Sequence, residues 1–375
     1  MEELEKRGIS CSLVVDKNLD PESSRFRIVP AFNTRMGLAF RPPFAPQALS
    51  RLISSVVGNL VTSWDLMRRV TPLVVSGDLV LLCRPLSRTR VAYGLWLWSL
   101  KALRRPLTII YVIHNEPEPL FASQLRILRR LARGHRLKFV AHSPAIAEQL
   151  GDHLGLQPKV IALPFKAVDF EERPATGSRP VRFSFLGLGH RSKGLDLVLQ
   201  AMELSVKLIE ANKLEFTIQC YLPFRDRGSD GLHRDVKNLA MRVGGVEVID
   251  HELTTSDYVH ELKRADIVLI PHRLETYRFA LSGVFADAIG AGRPVIVAEG
   301  SYMSELVRES GAGLTFKSGN GVSFQSAIVE AAGQADQLLH LAKTARERWV
   351  REQGPEAFVS GLFQVYELPL ATSGP

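Results

Sequence analysis

The sequence contains few cysteines. The three that occur, Cys11, Cys83 and Cys220, are far apart in 375 residues. Their number and spacing match neither a disulfide framework nor the closely spaced ligands of a structural zinc site. A reducing compartment is therefore favoured, and the sequence predicts a cytoplasmic protein.

Long apolar runs are also missing. The best candidate, VAYGLWLWSL, covers only residues 91–100 and is followed by the basic segment KALRRPL. A helix that spans a bilayer needs about 20 apolar residues, so we expect no membrane span. The opening residues also lack the pattern of a signal peptide.

Motifs for metal ions and nucleic acids are absent as well. The sequence has no Asp-x-Asp motif and no group of His and Cys residues with metal-ligand spacing. We therefore expect chemistry that needs no bound metal. The formal net charge is +8, and without a nucleic-acid-binding motif this surplus indicates other acidic partners. The candidates are phosphate-bearing ligands and an anionic membrane surface.

What the sequence does contain is a regular alternation of strands and helices. From about Arg182 onward, apolar strand segments alternate strictly with amphipathic helical segments. This pattern is typical of a parallel sheet with helices on both faces. The first half follows the pattern less regularly, and the polar segment 166–180 has the composition of a linker. The sequence therefore predicts an α/β protein with two doubly wound domains.

Two loops of the second half should meet at one edge of its sheet. The strand RFSFLGL leads into GHRSKG, which carries Arg191 and Lys193 directly before a helix. The strand DIVLIP leads to Ser282 and Gly283, where a good N-cap residue begins a helix predicted to end near Ala291. Ligands bind outside the carboxyl ends of such strands, and helix N-termini attract anions. A diphosphate would fit between the two loops.

The second of these helices carries a single carboxylate, Asp287, at the edge of its apolar face. No Lys or Arg lies three or four residues away on this helix. A half-buried carboxylate needs hydrogen-bond donors from elsewhere. Two interpretations stay open, a partner from another part of the fold and a pair of ligand hydroxyl groups such as those of a ribose.

Several segments resemble glycosyltransferase family 4. Its donor domain is matched by FLGLGHRSKGLDLVLQAM, RFALSGVFADAIGAGRPVIVAEGS and SGAGLTF, and the end of its N-terminal domain by KFVAHSPAIAEQLGDHLGLQPKVIALP. The resemblance implies the GT-B fold, two facing Rossmann-like domains with parallel sheets. An acceptor-side domain is expected at 1–165 and a nucleotide-sugar donor domain at 181–350. A C-terminal helix at 351–375 is expected to return to the first domain.

The resemblance also implies an activity. The expected enzyme is a hexosyl-type glycosyltransferase (EC 2.4) of polysaccharide biosynthesis, which moves a sugar from a nucleoside diphosphate-sugar to a glycan or lipid-linked acceptor. Transfer is expected to need no metal or other cofactor and to retain the anomeric configuration. The arginine-rich segment LRILRRLARGHRLKF is either a solvated helix face or a face that docks on anionic lipid. Docking would place the protein at the inner membrane face.

Site residues follow from the matched motifs. His114 matches the histidine that faces the donor sugar and is the candidate catalytic residue, although a strand-end histidine bonded to backbone is the alternative. Asp287 stands where the family usually has a ribose-binding glutamate. Glu275 and Tyr277 are further candidates for donor-sugar contacts. The residues implied for the donor diphosphate are Gly187, Arg191, Lys193, Ser282, Gly283 and Val284.

The chain also departs from the family pattern. Leu188 and His190 stand where members carry an arginine, so Arg191 is expected to substitute, and Phe279 replaces the family's first glutamate. The opening segment MEELEKRGISCSLVVD resembles the end of the first helix and the second strand, so two alternatives stay open: the first strand is missing, or a different element fills its place. These departures keep open a non-catalytic protein that binds nucleotide or a partner protein. An epimerase of similar fold is a third hypothesis.

Overall fold

The protein is represented by a computed structural model of the 375-residue chain. The structure describes residues 12–16, 27–32, 59–76, 78–82, 90–113, 121–155, 157–162, 175–177, 179–223 and 226–367. The chain divides into two compact units. The first comprises Met1–Ile161 and Val359–Pro375, and the second comprises Ala162–Phe358. The functional labels expected for the domains, acceptor side and donor side, stay predictions.

The first unit contains two parallel sheets. Strands β1 (Ser12–Asp16) and β2 (Arg27–Phe32) form one of them. The other has four strands in the order β3-β4-β5-β6, and its members are β3 (Leu79–Leu82), β4 (Thr108–Ile113), β5 (Arg136–Ala141) and β6 (Lys159–Val160). The sequence predicts strands in GISCSLVVD, GDLVLLC, PLTIIYVIHN and LKFVAHS, where β1, β3, β4 and β5 are found, but it gave no prediction for β2 and β6. The expectation of a missing first strand concerns the beginning of the chain, where residues 1–11 lie outside the described ranges.

Helices pack on the four-stranded sheet because its central strand is apolar on both faces. Every residue of β4 is buried, as a strand covered on both sides requires. The helices described in this unit include α1 (Arg90–Ala102), α2 (Phe121–Leu131) and α3 (Pro144–Leu154), besides a π-helical turn at Leu66–Val70 and a 3₁₀ turn at Thr71–Leu73. Residues 59–65 are helical as well. Within α1, Trp96, Leu97 and Leu100 are at most 1% exposed. The three helices lie where the sequence predicts them, in TRVAYGLWLWSLKAL, SQLRILRRLAR and PAIAEQLGDHLG.

The second unit is built on one six-stranded sheet. All its neighbouring strands pair in parallel, in the order β12-β11-β10-β7-β8-β9. Its strands are β7 (Val181–Phe185), β8 (Leu214–Gln219), β9 (Val246–Ile249), β10 (Ile267–Ile270), β11 (Val295–Ala298) and β12 (Gly313–Phe316). The strand order reverses between β7 and β10, so a crevice is expected at the carboxyl ends of these two strands.

Helices connect these strands and cover both faces of the sheet. In chain order they are α4 (Leu195–Leu204), α5 (Val206–Glu210), α6 (Arg227–Arg242), α7 (Thr255–Arg264), α8 (Leu274–Tyr277), α9 (Gly283–Gly290), α10 (Tyr302–Ser310), α11 (Gly321–Gly333), α12 (Ala335–Gln353) and α13 (Pro355–Glu367). The segment predicted as one long helix, KGLDLVLQAMELSVKLIEAN, is divided at Ser205. The N–H of this residue bonds to the carbonyl of Met202, three residues back, and the α-helical pattern stops there.

Two hydrophobic clusters occupy the two faces of the sheet. Ile267 and Leu269 of β10 belong to one cluster, whereas the alternate residues Val268 and Ile270 belong to the other. Successive side chains of a strand point to opposite faces, so both faces of β10 are covered by apolar packing. This observation confirms the predicted α/β class with parallel sheets.

The end of α13 lies in the first unit. Lys138 of β5 donates to the carbonyl of Val365, and Arg136 donates to that of Tyr366. Cations near a helix C-terminus satisfy its last carbonyl groups and complement the helix dipole. Across the described part of the chain, we find no helix with the length and apolar character needed to cross a bilayer.

Candidate functional site

The candidate site lies in the second unit, at the carboxyl ends of β7 and β10. The loop after β7 is shaped by glycines. Gly187 has φ +101° and donates its N–H to the Gln219 side chain at 2.7 Å. Gly194 has φ +82°, and a methyl group added there would lie 2.1 Å from the carbonyl oxygen of Pro271. The loop therefore lies directly on the backbone that follows β10, and only glycine permits that approach.

His190 holds the middle of this loop. Its Nδ1 accepts a hydrogen bond from the N–H of Ser192 at 3.0 Å, and its Nε2 lies 3.2 Å from the Asp226 carboxylate. The first of these contacts caps the 3₁₀ turn at Arg191–Lys193. His190 occupies a position at which the resemblance implied an arginine, and in this chain it organises the loop.

Lys193 lies at the centre of the site. Its ammonium Nζ is 3.2 Å from Nε2 of His272 and 4.2 Å from the centre of the Tyr277 ring. The same Nε2 is 3.0 Å from the hydroxyl oxygen of Ser282. His272 thus joins the loop after β7 to the start of α9. A cation over an aromatic face is also favourable, so Tyr277 contributes to the position of Lys193.

The protonation of His272 follows from its surroundings. Burial, reinforced by the charge of Lys193, holds the pKa of His272 well below its ordinary value of 6.5, so the imidazole is neutral. Its Nδ1 faces the carbonyl oxygen of Lys193 at 3.3 Å. A carbonyl only accepts hydrogen bonds, so we assign the proton to Nδ1. Nε2 is then an acceptor for the ammonium of Lys193 and the hydroxyl of Ser282.

The N-terminus of α9 is confirmed at the predicted position. Ser282 is the cap residue, with extended φ −80° and ψ 137°, but its side chain makes no capping hydrogen bond to the helix. The hydroxyl contacts His272 instead, which corrects the expectation that Ser282 caps by its side chain. The first N–H groups of α9, at Gly283 and Val284, therefore receive no capping bond from Ser282, and the helix dipole favours an anion there.

Asp287 lies one turn further along α9. The Tyr258 hydroxyl donates to its Oδ2 at 3.0 Å, so the fold does supply a donor. Asp287 and Tyr258 both line a cavity of about 410 Å³. Its other lining residues are Gly187, Leu188, Gln219, Tyr221, Pro223, Glu252, Leu253, Thr254, Thr255 and Val259. The cavity combines apolar wall residues with several polar side chains, among them the Tyr258–Asp287 pair, which is the usual composition of a small-molecule site.

Not every predicted residue joins this cluster. Arg191 is exposed, and its guanidinium lies 3.9 Å from Asp196, which also accepts from Arg273. Glu275 is exposed on α8, although Tyr277 of the same helix contacts both Lys193 and His272. His114 lies outside the described residues. Its expected catalytic role stays a prediction.

Sequence reasoning missed His272 and Tyr258. A signal for His272 was present, because Pro271-His272 follows a buried strand directly and so falls at the carboxyl edge of the sheet. Tyr258 gave no such signal, since it belongs to a helix 29 residues before Asp287. Within the described ranges, no group of three or more His, Cys, Asp or Glu residues is placed to hold a metal ion.

The arrangement has a clear chemical character. One cation and one helix N-terminus lie beside a cavity whose polar atoms include a carboxylate and a phenol. An anionic group fits the first part and a hydroxyl-bearing apolar group fits the second. A ligand that spans both parts therefore carries an anionic end and a neutral end.

Residues 180–334 match the model of a protein family described as Glycosyl transferases group 1. A search among curated proteins finds no sequence match. Solved structures do resemble the chain in fold. A glycosyltransferase from Rickettsia africae is 11% identical with a TM-score of 0.66, and the match covers 97% of this chain and 91% of that one. Sucrose-phosphate synthase from Thermosynechococcus elongatus is 15% identical with a TM-score of 0.61, covering 97% and 90%.

A further similar structure is Anabaena HepE in complex with UDP. It is 16% identical with a TM-score of 0.58, and the match covers 86% of this chain and 83% of that one. At these identities the likeness concerns the fold. Together the matches confirm the expected resemblance to glycosyltransferase family 4 and the GT-B fold class.

Proposed function

We propose that this chain, whose residues 180–334 match the model of the group 1 glycosyl transferases, transfers a sugar from a nucleoside diphosphate-sugar to a glycan or lipid-linked acceptor. The observation that carries the proposal is the joining of Lys193, His272 and the start of α9 beside the cavity at Asp287. The diphosphate binds at the first part of the site and the nucleoside in the cavity.

Lys193 has the largest role in the proposed reaction. When the bond between the sugar and the diphosphate breaks, negative charge grows on the departing phosphate oxygen. The ammonium of Lys193 and the N–H groups at Gly283 and Val284 stabilise that charge from fixed positions. The neutral His272 orients the ammonium without neutralising it. This assignment supports transfer without a metal ion.

The other site assignments extend the same proposal. His114 keeps the role that the family resemblance implies, assistance of a retaining transfer. We also assign Tyr277 and Glu275, on the short helix that follows β10, to contacts with the donor sugar. Arg191 is exposed beside the loop. Because its long side chain is not buried, it is free to turn toward the outer phosphate when the donor binds.

A membrane surface is the second proposed partner. On α2, Leu125 and Leu128 are buried, whereas Arg126, Arg129 and Arg130 are exposed. Ile127 is 42% exposed on the same helix. A basic face with an apolar residue is suited to anionic lipid headgroups. We propose that this face brings the protein to the inner membrane face, where a lipid-linked acceptor would be presented.

The first experiment measures nucleotide binding by calorimetry. UDP, GDP and ADP are tested with the wild-type protein, Lys193→Ala and the control Lys207→Ala, whose lysine is exposed on α5. Hydrogen bonds to charged groups contribute about 1.5–3 kcal/mol, so Lys193→Ala should weaken binding of the preferred diphosphate about 10- to 100-fold. The control should bind as the wild type does. Absence of binding by all three nucleotides, or full affinity in Lys193→Ala, would contradict the proposal.

One observation favours a second candidate function. Phe279 stands where the family has its first glutamate, and it is half-buried before α9. A non-catalytic protein would bind the nucleotide without acting on the sugar. Sugar release from donors with the preferred base distinguishes the two functions. Turnover that is lost in Lys193→Ala supports transfer, and binding without turnover supports the non-catalytic alternative.

A further inference from the structure

The Tyr258 hydroxyl and the Asp287 carboxylate come from two different helices and meet in the wall of one cavity. Tyr258 lies in the first turn of α7. The cap residue of this helix is Thr254, whose hydroxyl accepts from the N–H of Asp257. Asp287 lies on α9. The phenol and the carboxylate are 3.0 Å apart, and both residues line the same cavity of about 410 Å³.

We propose that Tyr258 and Asp287 together bind the two neighbouring hydroxyl groups of a ribose, and that Tyr258 makes the site prefer ribose to deoxyribose. The inference rests on the proposed function, since it assigns the nucleoside of the donor to this cavity. It adds a specificity-determining residue that the sequence did not indicate.

The direction of the hydrogen bond determines what Tyr258 can recognise. A phenol has a single proton, and Tyr258 donates it to Oδ2 of Asp287. The phenol oxygen then meets a ligand as an acceptor. An ionised carboxylate also only accepts, and its two oxygens take several donors. The pair therefore selects two adjacent donors on a ligand, and the cis-hydroxyl groups of a ribose provide them.

The protonation of Tyr258 keeps this selection constant. Burial, together with the negative charge of Asp287, raises the pKa of Tyr258 far above its ordinary value of 10.0. The phenol thus keeps its proton at every pH at which the protein would work, and Asp287 keeps its donor. Packing also holds the ring, because Tyr258 and Val259 lie against the hydrophobic cluster that contains Phe285.

A structural tie between α7 and α9 is the competing explanation. In that case the Tyr258–Asp287 bond would hold the helices together and would not meet the ligand. Loss of the phenol would then change stability, or affinity for every nucleotide to the same degree. The two explanations differ in whether Tyr258 distinguishes nucleotides by their ribose hydroxyls.

The test compares three ligands and three proteins by calorimetry. The ligands are the preferred nucleoside diphosphate and its 2′-deoxy and 3′-deoxy analogues. The proteins are the wild type, Tyr258→Phe and Tyr221→Phe. Tyr221 lines the same cavity, so its variant is a matched control for removal of a phenol hydroxyl. Thermal unfolding of each protein establishes that it is folded at the assay temperature.

We expect the wild type to bind the ribose form about 10-fold more tightly than the analogue that lacks the hydroxyl bound by Tyr258, as one hydrogen bond predicts. Tyr258→Phe should weaken binding of the ribose form about 5-fold and change the affinity for that analogue by less than about 2-fold. Most of the preference for ribose should thereby be lost. Tyr221→Phe should keep the wild-type preference.

Two results would overturn the inference. Equal changes for all three ligands in Tyr258→Phe, or no change for any, would assign Tyr258 a structural role while leaving the proposed function intact. Absence of nucleoside diphosphate binding by the wild type would remove the proposed function and this inference together. Binding with a uniform effect therefore separates the failure of the inference from the failure of the function.

Discussion

The amino and carboxyl edges of the six-stranded sheet in the second unit differ in the contact partners of their charged residues. At the amino edge, opposite charges pair. Arg179 donates to both oxygens of the buried Asp266 at 2.6 and 2.8 Å, and the N–H of Arg182 donates to the same carboxylate at 2.9 Å. Arg182 and Glu215, neighbours on β7 and β8, form a second pair at 2.7 Å. These contacts connect the beginnings of three strands.

Ion pairs also occur at the carboxyl edge, as between Arg273 and Asp196, but the two charged residues of the candidate site have neutral groups among their contacts. Lys193 lies beside a neutral imidazole and an aromatic ring, and Asp287 accepts from a phenol that keeps its proton. Neutral partners fix the position of a charge without cancelling it. Since a site must offer its charge to a ligand, the carboxyl edge is suited to binding and the amino edge to stability.

The largest effect is expected from a substitution that disturbs the backbone at the carboxyl edge. In Gly194→Ala the new methyl group would lie 2.1 Å from the Pro271 carbonyl oxygen, at φ +82°. The strained dihedral and the overpacking together should lower the free energy of unfolding by about 2–5 kcal/mol. Urea unfolding measures this change in the free energy of unfolding. Gly231→Ala is the control, because a methyl group there meets nothing within 4 Å and should not destabilise. Equal stability of the two variants would contradict the close approach.

The next effect comes from a substitution at the amino edge, which should lower stability but leave nucleotide affinity unchanged. Asp266→Ala removes the carboxylate that Arg179 and the N–H of Arg182 contact. Loss of one partner of a buried pair costs about 3–5 kcal/mol, and the low end is expected because Arg179 is partly exposed. Nucleotide affinity, measured by calorimetry well below the melting temperature, should stay within 2-fold of the wild type. A large loss of affinity in the folded variant would show that the amino edge also serves the site.

The smallest effect concerns the neutral imidazole at the carboxyl edge. The folded-state pKa of His272 is well below 6.5, so below pH 6.5 the unfolded chain takes up a proton that the folded chain does not. Stability therefore falls as the pH decreases through 6.5 toward the folded pKa. Between pH 7.5 and 5.5 this residue should lower the free energy of unfolding by about 1 kcal/mol.

Urea unfolding at the two pH values tests this expectation. His272→Asn keeps polar atoms near Lys193 and Ser282 but does not titrate, so its pH dependence should be smaller than that of the wild type by the same amount. An unchanged pH dependence in this variant would mean that His272 is protonated in the folded protein.

Much of the second unit was predictable because its information is local. The alternation of strands and helices, the start of α9 at Gly283 and the place of Lys193 before a helix all follow from periodicity and capping residues near each other in the chain. The segment after β7 was predicted as one helix and forms two, because no Gly or Pro marks the interruption at Ser205.

The sequence by itself determined the α/β class, the parallel sheets and the edge at which the site lies, because hydrophobic period and strand order along the chain carry that information. Only the tertiary structure decided which groups meet there. His272 reaches Lys193 across 79 residues, and Tyr258 reaches Asp287 across 29. Contacts between such distant positions depend on how the strands and helices pack, and no local pattern encodes them.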